Sequence, residues 1–308
     1  LEIFLPQEIF KSPLAMELVL NSLHQAASPD NHVQSWWEGK YPPYFSLELI
    51  STHGRVRICI NTPERWRNQI EAQLYGQYPG IQIHKLDLDY TAEIPENGRG
   101  HEVFGIHYKL KNPDPYPIRT YFDYGLHLNP KEEEKIDPLS TILETLGSVG
   151  PGEHLWVQFL IRANRKFTFK EGSLSLKKDW KDDVKNEIDA IMEKAKKRGA
   201  GADDEQGGMI QLTETEKDTI KALERSLTKY AFNTYVKSLY IAEEGKFNGL
   251  RISPMVTLFR ATDDIVRNIL GIHWRTDTDW PWWQDIGGRK TKRWKAEELE
   301  DYKKRTYT

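Results

Sequence analysis

The stretch GGRKTKRWK at residues 287–295 carries five basic residues and no acidic one. Arg and Lys in such a run can hold a phosphate backbone, and neighbouring tryptophans can stack on a base. The alternative is a solvated basic turn, because the acidic run EELED at residues 297–301 partly neutralises it. The candidate contact residues for a nucleic acid or a protein partner are Arg289, Lys290, Lys292, Arg293, Trp294, Trp282 and Trp283.

Nucleotide hydrolysis is not predicted for this chain. No segment matches the phosphate loop G-x-x-x-x-G-K-[ST]. Residues 287–291, GGRKT, have the composition of such a loop but not its spacing, and no apolar strand immediately precedes them. We therefore expect no nucleotide cofactor and no catalytic residue, and the chain is not predicted to be an enzyme.

Other candidate sites for chemistry are weak. His101 and His107 in HEVFGIH would lie about 20 Å apart on one strand, too far for one metal ion. The pairs Asp263-Asp264 and Asp277-x-Asp279 have no partner base or nucleophile beside them, so turn and capping roles explain them better. Cys59 lies on a predicted strand, where a buried, unreactive thiol is expected.

Composition limits the class of protein. The chain has 43 Lys plus Arg and 46 Asp plus Glu, for a formal net charge of −3, which excludes a globally basic nucleic-acid binder. With one cysteine it can form no internal disulfide, as is typical of a reducing compartment. No apolar run reaches the roughly 18 residues that a membrane span requires. Because the chain begins with Leu1 in LEIFLP, we expect the numbering to start inside a longer native protein.

The first half, residues 1–95, has the element order βαββαβ, which is the ferredoxin-like pattern. Alternating apolar residues and the turn Thr52-His53-Gly54 predict a hairpin in its middle. Ser, Thr or Asp followed by proline is a helix-start signal. It occurs at Ser12-Pro13, Thr62-Pro63, Asp137-Pro138 and Ser253-Pro254.

The second half, residues 96–275, has the same order with one insertion. Strands are predicted at 155–162, at 235–241 and at GIHWR, and a strand or hairpin near 101–111 and 117–124. Two narrow apolar stripes, the second beginning with the capping box Thr213-x-x-Glu216, predict an inserted helical hairpin at about 167–229. The fold class is therefore α+β, with two tandem ferredoxin-like units, the second carrying the hairpin. Residues 276–308 are predicted to form a Trp-rich, basic strap.

Several long segments resemble a known family when they are taken together. They are SPLAMELVLNSLH, WWEGKYPPYFSLELIS, TPERWRNQIEAQLYGQYPGIQI, GPGEHLWVQFLIRA, LTETEKDTIKALERSLTKYAFNTYVKSLYIA and WPWWQD. They are similar to the uncharacterised N-terminal domain of bacterial membrane-associated proteins related to type IV secretion and conjugation ATPases, in the FtsK/HerA-like superfamily. The resemblance covers nearly the whole chain.

The resemblance implies a membrane segment before this region and an ATPase, or a relic of one, after it. The chain would then be a non-catalytic docking and assembly domain at the cytoplasmic face of the cell membrane. Its partners would be proteins of a secretion complex or neighbouring subunits, including copies of itself. The alternative function is a nucleic-acid-binding module that uses the basic C-terminal segment.

Overall fold

The structure is a computed structural model that describes residues 1–6, 12–24, 43–128, 137–164, 169–170, 173–176, 180–199, 211–276, 283 and 285–306. The strands are β1 (Glu2–Phe4), β2 (Tyr44–Thr52), β3 (Arg55–Asn61), β4 (Gln82–His84), β5 (His101–Leu110), β6 (Glu153–Ala163), β7 (Phe169–Lys170), β8 (Ser173–Leu176), β9 (Phe232–Glu243) and β10 (Leu270–Trp274). The helices are α1 (Leu14–Leu23), α2 (Arg67–Gln77), α3 (Pro138–Gly147), α4 (Trp180–Gly199), α5 (Glu214–Leu227), α6 (Ile252–Val256) and α7 (Arg289–Lys303).

Eight strands form one antiparallel sheet in the order β10-β5-β9-β6-β2-β3-β1-β4. The first half contributes β4-β1-β3-β2, and the second half contributes β10-β5-β9-β6. Each half thus places its own strands in the order fourth, first, third, second. The halves meet where β2 pairs with β6, from Tyr44 opposite Arg162 to Thr52 opposite His154. We call this pairing the seam.

The β2–β3 hairpin has the tight turn that the sequence predicts. His53 and Gly54 both have positive φ, 54° and 85°, as the two-residue turn of a twisted hairpin requires. A side chain at Gly54 would also approach the Val149 carbonyl oxygen to 2.8 Å. The His53 ring then accepts a 2.8 Å hydrogen bond from the Gly152 amide, which ties this turn to the second half.

Four helices cover one face of the sheet. Helices α1 and α2 bury Val19, Leu23, Ile70 and Leu74 against the first half. Helices α3 and α6 pack against the second half in another cluster, which contains Ile142, Leu146 and Met255. We call this side the helical face. The other side of the sheet carries a third cluster, with Ile50 and Trp156 beneath Leu299 and Tyr302 of α7.

Only one of the four predicted helix starts is confirmed as written. Asp137 caps α3 by accepting the Leu139 amide at 2.9 Å, with proline next in the chain. At α1 the Ser12 hydroxyl accepts the Leu14 amide at 3.4 Å, but the helix begins at Leu14, one residue after the proline predicted to open it. A 3-10 turn precedes α2, and Ser253 lies inside α6. At Thr62-Pro63 the 3-10 turn Glu64–Trp66 delays the α-helix to Arg67, whereas at Ser253-Pro254 the 3-10 turn Gly249–Arg251 begins the helical structure before the predicted start.

Two helices, α4 and α5, pack together between β6 and β9, and the two-stranded sheet of β7 and β8 precedes them within the predicted insertion. Thr213 and Glu216 form the capping box of α5. Val184 and Ile191 of α4 pack on Leu223 of α5. The hairpin is anchored to the segment before α3, because the Tyr116 hydroxyl donates to Glu187 at 2.9 Å.

Two sequence predictions are corrected. Residues 117–124 form loop and turn and not a strand: Arg267, which forms an ion pair with Asp123 at 2.7 Å, holds this segment against the chain before β10. Much of the segment predicted as a strap at 276–308 is helical, since α7 begins at Arg289. The helix begins there because Asp285 accepts hydrogen bonds from the first-turn amides of Lys290 and Thr291.

Candidate functional site

One row of polar residues crosses the side of the sheet beneath α7. Successive strand pairings place Glu2 opposite Cys59, Cys59 opposite Glu48 and Glu48 opposite Gln158. The row continues in this way across all strands of the eight-stranded sheet. Its ends, His84 and His273, are exposed, and the six residues between them are buried. The row, named here the polar row, is His84, Glu2, Cys59, Glu48, Gln158, Lys237, His107 and His273.

Helix α7 lies over the middle of the polar row. Its inner side buries Leu299 and Tyr302, and the Tyr302 ring lies 5.7 Å from that of Trp156. Gly105 permits the close approach, because a side chain there would meet the Cγ atom of Glu298 at 2.9 Å. The helix therefore docks through the side chains of Leu299 and Tyr302, and a polar contact lies on either side of them.

The first polar contact joins α7 to β5 in the second half. Glu298 accepts a short hydrogen bond from His107 and a 3.1 Å bond from Arg275. The Tyr235 hydroxyl reaches the other ring nitrogen of His107 at 2.6 Å. Burial raises the pKa of Glu298, but the bonds and charges of His107 and Arg275 outweigh it, so the pKa lies below its ordinary value. The carboxylate is therefore ionised at neutral pH.

Burial has the largest effect on the pKa values of the basic groups at this contact. It lowers the pKa of His107 despite the hydrogen bond and charge of Glu298. It also lowers the pKa of Lys237, whose ammonium group donates to the Thr306 carbonyl at 3.0 Å. Both groups therefore form these hydrogen bonds with other residues of the fold.

The second polar contact joins the end of α7 to β2 in the first half. Arg305 donates to both oxygens of Glu48, at 2.7 and 3.1 Å, and pairs with Asp89 at 2.7 Å. Burial lowers the pKa of Arg305, but Glu48 more than compensates and raises it above its ordinary value. Such a bidentate pair is among the stronger interactions available to a buried charge.

The backbone at Arg305 supports the same contact. Its φ is 55°, a left-handed conformation that usually favours glycine after a helix. The Arg305 amide donates to the Tyr302 carbonyl and the Thr306 amide to that of Asp301, at 3.0 and 3.1 Å, which closes the helix in a Schellman motif. The residue in this glycine-like position is the one whose side chain forms the ion pair with Glu48.

A cleft of about 240 Å³ opens beside this contact, lined by Cys59, Asp89, Tyr90 and Arg305 among others. Burial and the nearby carboxylates raise the pKa of Cys59 to about 12, so its thiol is protonated at neutral pH and is a poor nucleophile. Among the residues that the structure describes, no group of three or more His, Cys, Asp or Glu could hold a metal ion. In the polar row, Glu48 and His107 bind Arg305 and Glu298 of the C-terminal segment, and Lys237 binds a backbone carbonyl. The Oε1 atom of Glu2 is buried and has no hydrogen-bond partner among the described residues.

The basic residues predicted as contacts lie at the start of α7. Arg289, Lys290, Lys292 and Arg293 are exposed, and Arg293 pairs with Glu297 at 2.7 Å. Trp283 and Trp294 are 59% and 41% exposed. Trp282 lies outside the described residues. The first-turn amides of Lys290 and Thr291 bind Asp285, so these two are not free to bind a phosphate group.

The aspartates considered as carboxylate pairs have structural roles where the structure describes them. Asp263 accepts the Leu270 amide at 3.1 Å, and Asp264 binds Arg267 at 2.5 Å. Asp277 and Asp279 lie outside the described part of the chain. His101 and His107 take part in different contacts, since His101 lies against the Arg99 carbonyl at 3.2 Å.

Sequence reasoning did not find the polar row. A signal for it exists, because central strands carry a charged or amide side chain within a largely apolar stretch, as Glu48 does in FSLELI and Gln158 in LWVQFLI. Strand alternation places these residues on the side opposite the helices. Their alignment into one row depends on register between distant strands, which a single sequence does not give.

Comparison with known families gives one match. The model of a domain of unknown function, DUF8128, matches residues 12–262. The chain belongs to the DUF8128 family. The matched range includes the seam and ends before β10 and α7. No curated protein and no solved structure matches the chain. In the described part of this DUF8128 member, no helix is both long and apolar enough to cross a bilayer.

Proposed function

We propose that this chain is a non-catalytic docking and assembly domain of a membrane-associated protein related to the secretion and conjugation ATPases. It acts at the cytoplasmic face of the membrane and binds proteins of a secretion complex or copies of itself. The resemblance of the quoted sequence segments supports the assignment to such a parent protein. The exposed apolar side chains of the helical face support the docking role. Any ATP hydrolysis belongs to a separate domain.

The architecture proposed for this role is two tandem ferredoxin-like units. The repeated strand order, with two helices per half on the same side, supports it. Joining the units edge to edge through β2 and β6 removes two edge strands from solvent. The helical faces of both units then form one broad surface.

The observation that carries the docking role is the apolar exposure of α1 and α3. Leu14 and Leu18 of α1 are 48% and 46% exposed, and Leu139 and Leu143 of α3 are 56% and 40% exposed. Each pair is spaced four residues apart and therefore lies on one side of its helix. Paired apolar side chains left in water are typical of protein-binding surfaces.

The seam beneath these helices is also incompletely covered. Leu47 packs with the cluster around α1, and its partner across the seam, Phe159, packs with the cluster around α3. Both side chains remain partly exposed. A partner that contacts α1 and α3 therefore also has apolar sheet surface within reach at the joint between the two units.

Site-specific photocrosslinking in the native host tests the docking role. With benzoylphenylalanine in place of Leu143, we expect covalent adducts with proteins of the membrane fraction. The same residue at Glu144, which is exposed and next along α3, should give few. Adding Leu139→Ser should remove the adducts at 143 with little loss of stability, because surface changes seldom exceed about 0.5 kcal/mol. Equal labelling at both positions, or none at 143, would contradict the docking role.

A further inference from the structure

The start of α7 presents a basic surface bordered by tryptophan. The set named here the basic patch is Arg289, Lys290, Lys292 and Arg293 with the indoles of Trp283 and Trp294, all of them exposed. No acidic residue occurs from Ile286 to Ala296. The patch is therefore a local positive surface on a chain whose net charge is −3.

Helical geometry directs two of these charges away from the sheet. At about 100° per residue, Arg289 and Arg293 lie opposite Glu298 and Tyr302, the residues that pack on the sheet. Glu297 and Glu300 follow on the same outward side. An anionic partner is thus attracted to the first two turns of α7 and repelled further along the helix.

We propose that the basic patch binds the surface of an anionic lipid bilayer. Basic side chains near such a surface each contribute about 1 kcal/mol, and tryptophan favours the boundary between headgroups and acyl chains. The proposal goes beyond the docking role, because its ligand is lipid rather than protein. It does not use the amides of the helix start, which Asp285 already occupies.

A bilayer fits these observations better than a nucleic acid does. Single-stranded nucleic acids bind in basic grooves and stack on aromatic side chains, commonly on an open sheet face. In this fold one side of the sheet is covered by four helices, and Leu299 and Tyr302 of α7 cover the middle of the other. The residues of the basic patch are exposed at the start of α7, where a broad anionic surface can contact several of these cations at once.

Co-sedimentation of the purified 308-residue chain with lipid vesicles tests the proposal. Vesicles of phosphatidylcholine with 30% phosphatidylglycerol should bind the chain at 0.1 M salt, whereas pure phosphatidylcholine should not. Replacing Arg289, Lys290, Lys292 and Arg293 by glutamine should weaken partitioning by ~30-fold or more, from roughly fivefold per charge with allowance for screening. All four side chains are exposed, so the variant should keep the circular dichroism spectrum of the wild type.

A matched control removes four exposed lysines from α4, by replacing Lys185, Lys194, Lys196 and Lys197 with glutamine. It should change partitioning by less than about threefold, which would show that position and not total charge decides binding. Equal losses in the two variants, or no binding to the anionic vesicles, would overturn the proposal. The proposal would also be overturned if the four glutamine substitutions weaken binding of a short single-stranded DNA but leave binding of vesicles unchanged. The assay contains only lipid, so its outcome is separate from the protein-docking experiment.

Discussion

Replacing Glu48 by alanine should lower the free energy of unfolding by about 3 to 5 kcal/mol, because it leaves a buried guanidinium without its main partner. Glu48 is 2% exposed, and Arg305 donates to both of its oxygens. Ser46 and Gln158 also donate to this carboxylate, at 2.5 and 3.1 Å, so their donors lose a partner as well. Urea denaturation followed by tryptophan fluorescence measures the change.

A double-mutant cycle isolates the ion pair. Arg305→Ala removes the guanidinium and leaves Glu48 with its neutral donors. The variant with both substitutions should be more stable than the sum of the two single losses predicts, because it contains neither buried charge. A coupling energy of about 1 to 3 kcal/mol is expected for groups in direct contact. Additive losses, or a loss below about 1 kcal/mol for Glu48→Ala, would show that the pair does not hold α7.

Tyr302→Ala should destabilise the protein by about 3 to 5 kcal/mol, the usual cost of deleting a large buried aromatic side chain. The ring is fully buried against Trp156, and its hydroxyl lies 3.3 Å from that of Tyr90. Tyr302→Phe keeps the ring and removes only this bond, so it should cost about 0.5 to 1.5 kcal/mol.

Hydrogen exchange shows which part of the fold responds to Tyr302→Ala. The amides of α7 should lose protection first, while the central strands β6 and β9 and the helices α1 and α2 keep theirs. That result would identify α7 as a separable cover of the sheet. Uniform loss of protection across all strands would instead make α7 part of one cooperative unit with the sheet.

The sequence predicts most of the elements because their signals are local. The β2–β3 turn, the capping box of α5 and the Asp137 cap each occur within a few residues, and the structure contains all three. The order βαββαβ in each half also follows from local patterns. Residues 117–124 do not form the predicted strand, because Asp123 is held by Arg267, which is 144 positions away.

The polar row and the docking of α7 depend on long-range contacts. Glu48 and Arg305 are 257 positions apart, and His107 and Glu298 are 191 apart. The composition of a basic, Trp-rich segment does not show which face of the sheet it packs against. In the sequence, the docking residues Glu298 and Arg305 look like the ordinary exposed charges of a surface helix. Composition predicts the cluster of cations from Arg289 to Arg293, whereas their place at the exposed start of a helix required the structure.

The gene on both sides of this region gives the most direct test of the account. A docking domain of a secretion-type ATPase has to be joined to the rest of that protein, so the reading frame should encode an apolar span of at least about 18 residues upstream. Downstream it should encode a phosphate loop or the degenerate remains of one. A frame that contains neither segment would contradict the assignment of this DUF8128 chain to a membrane-associated ATPase.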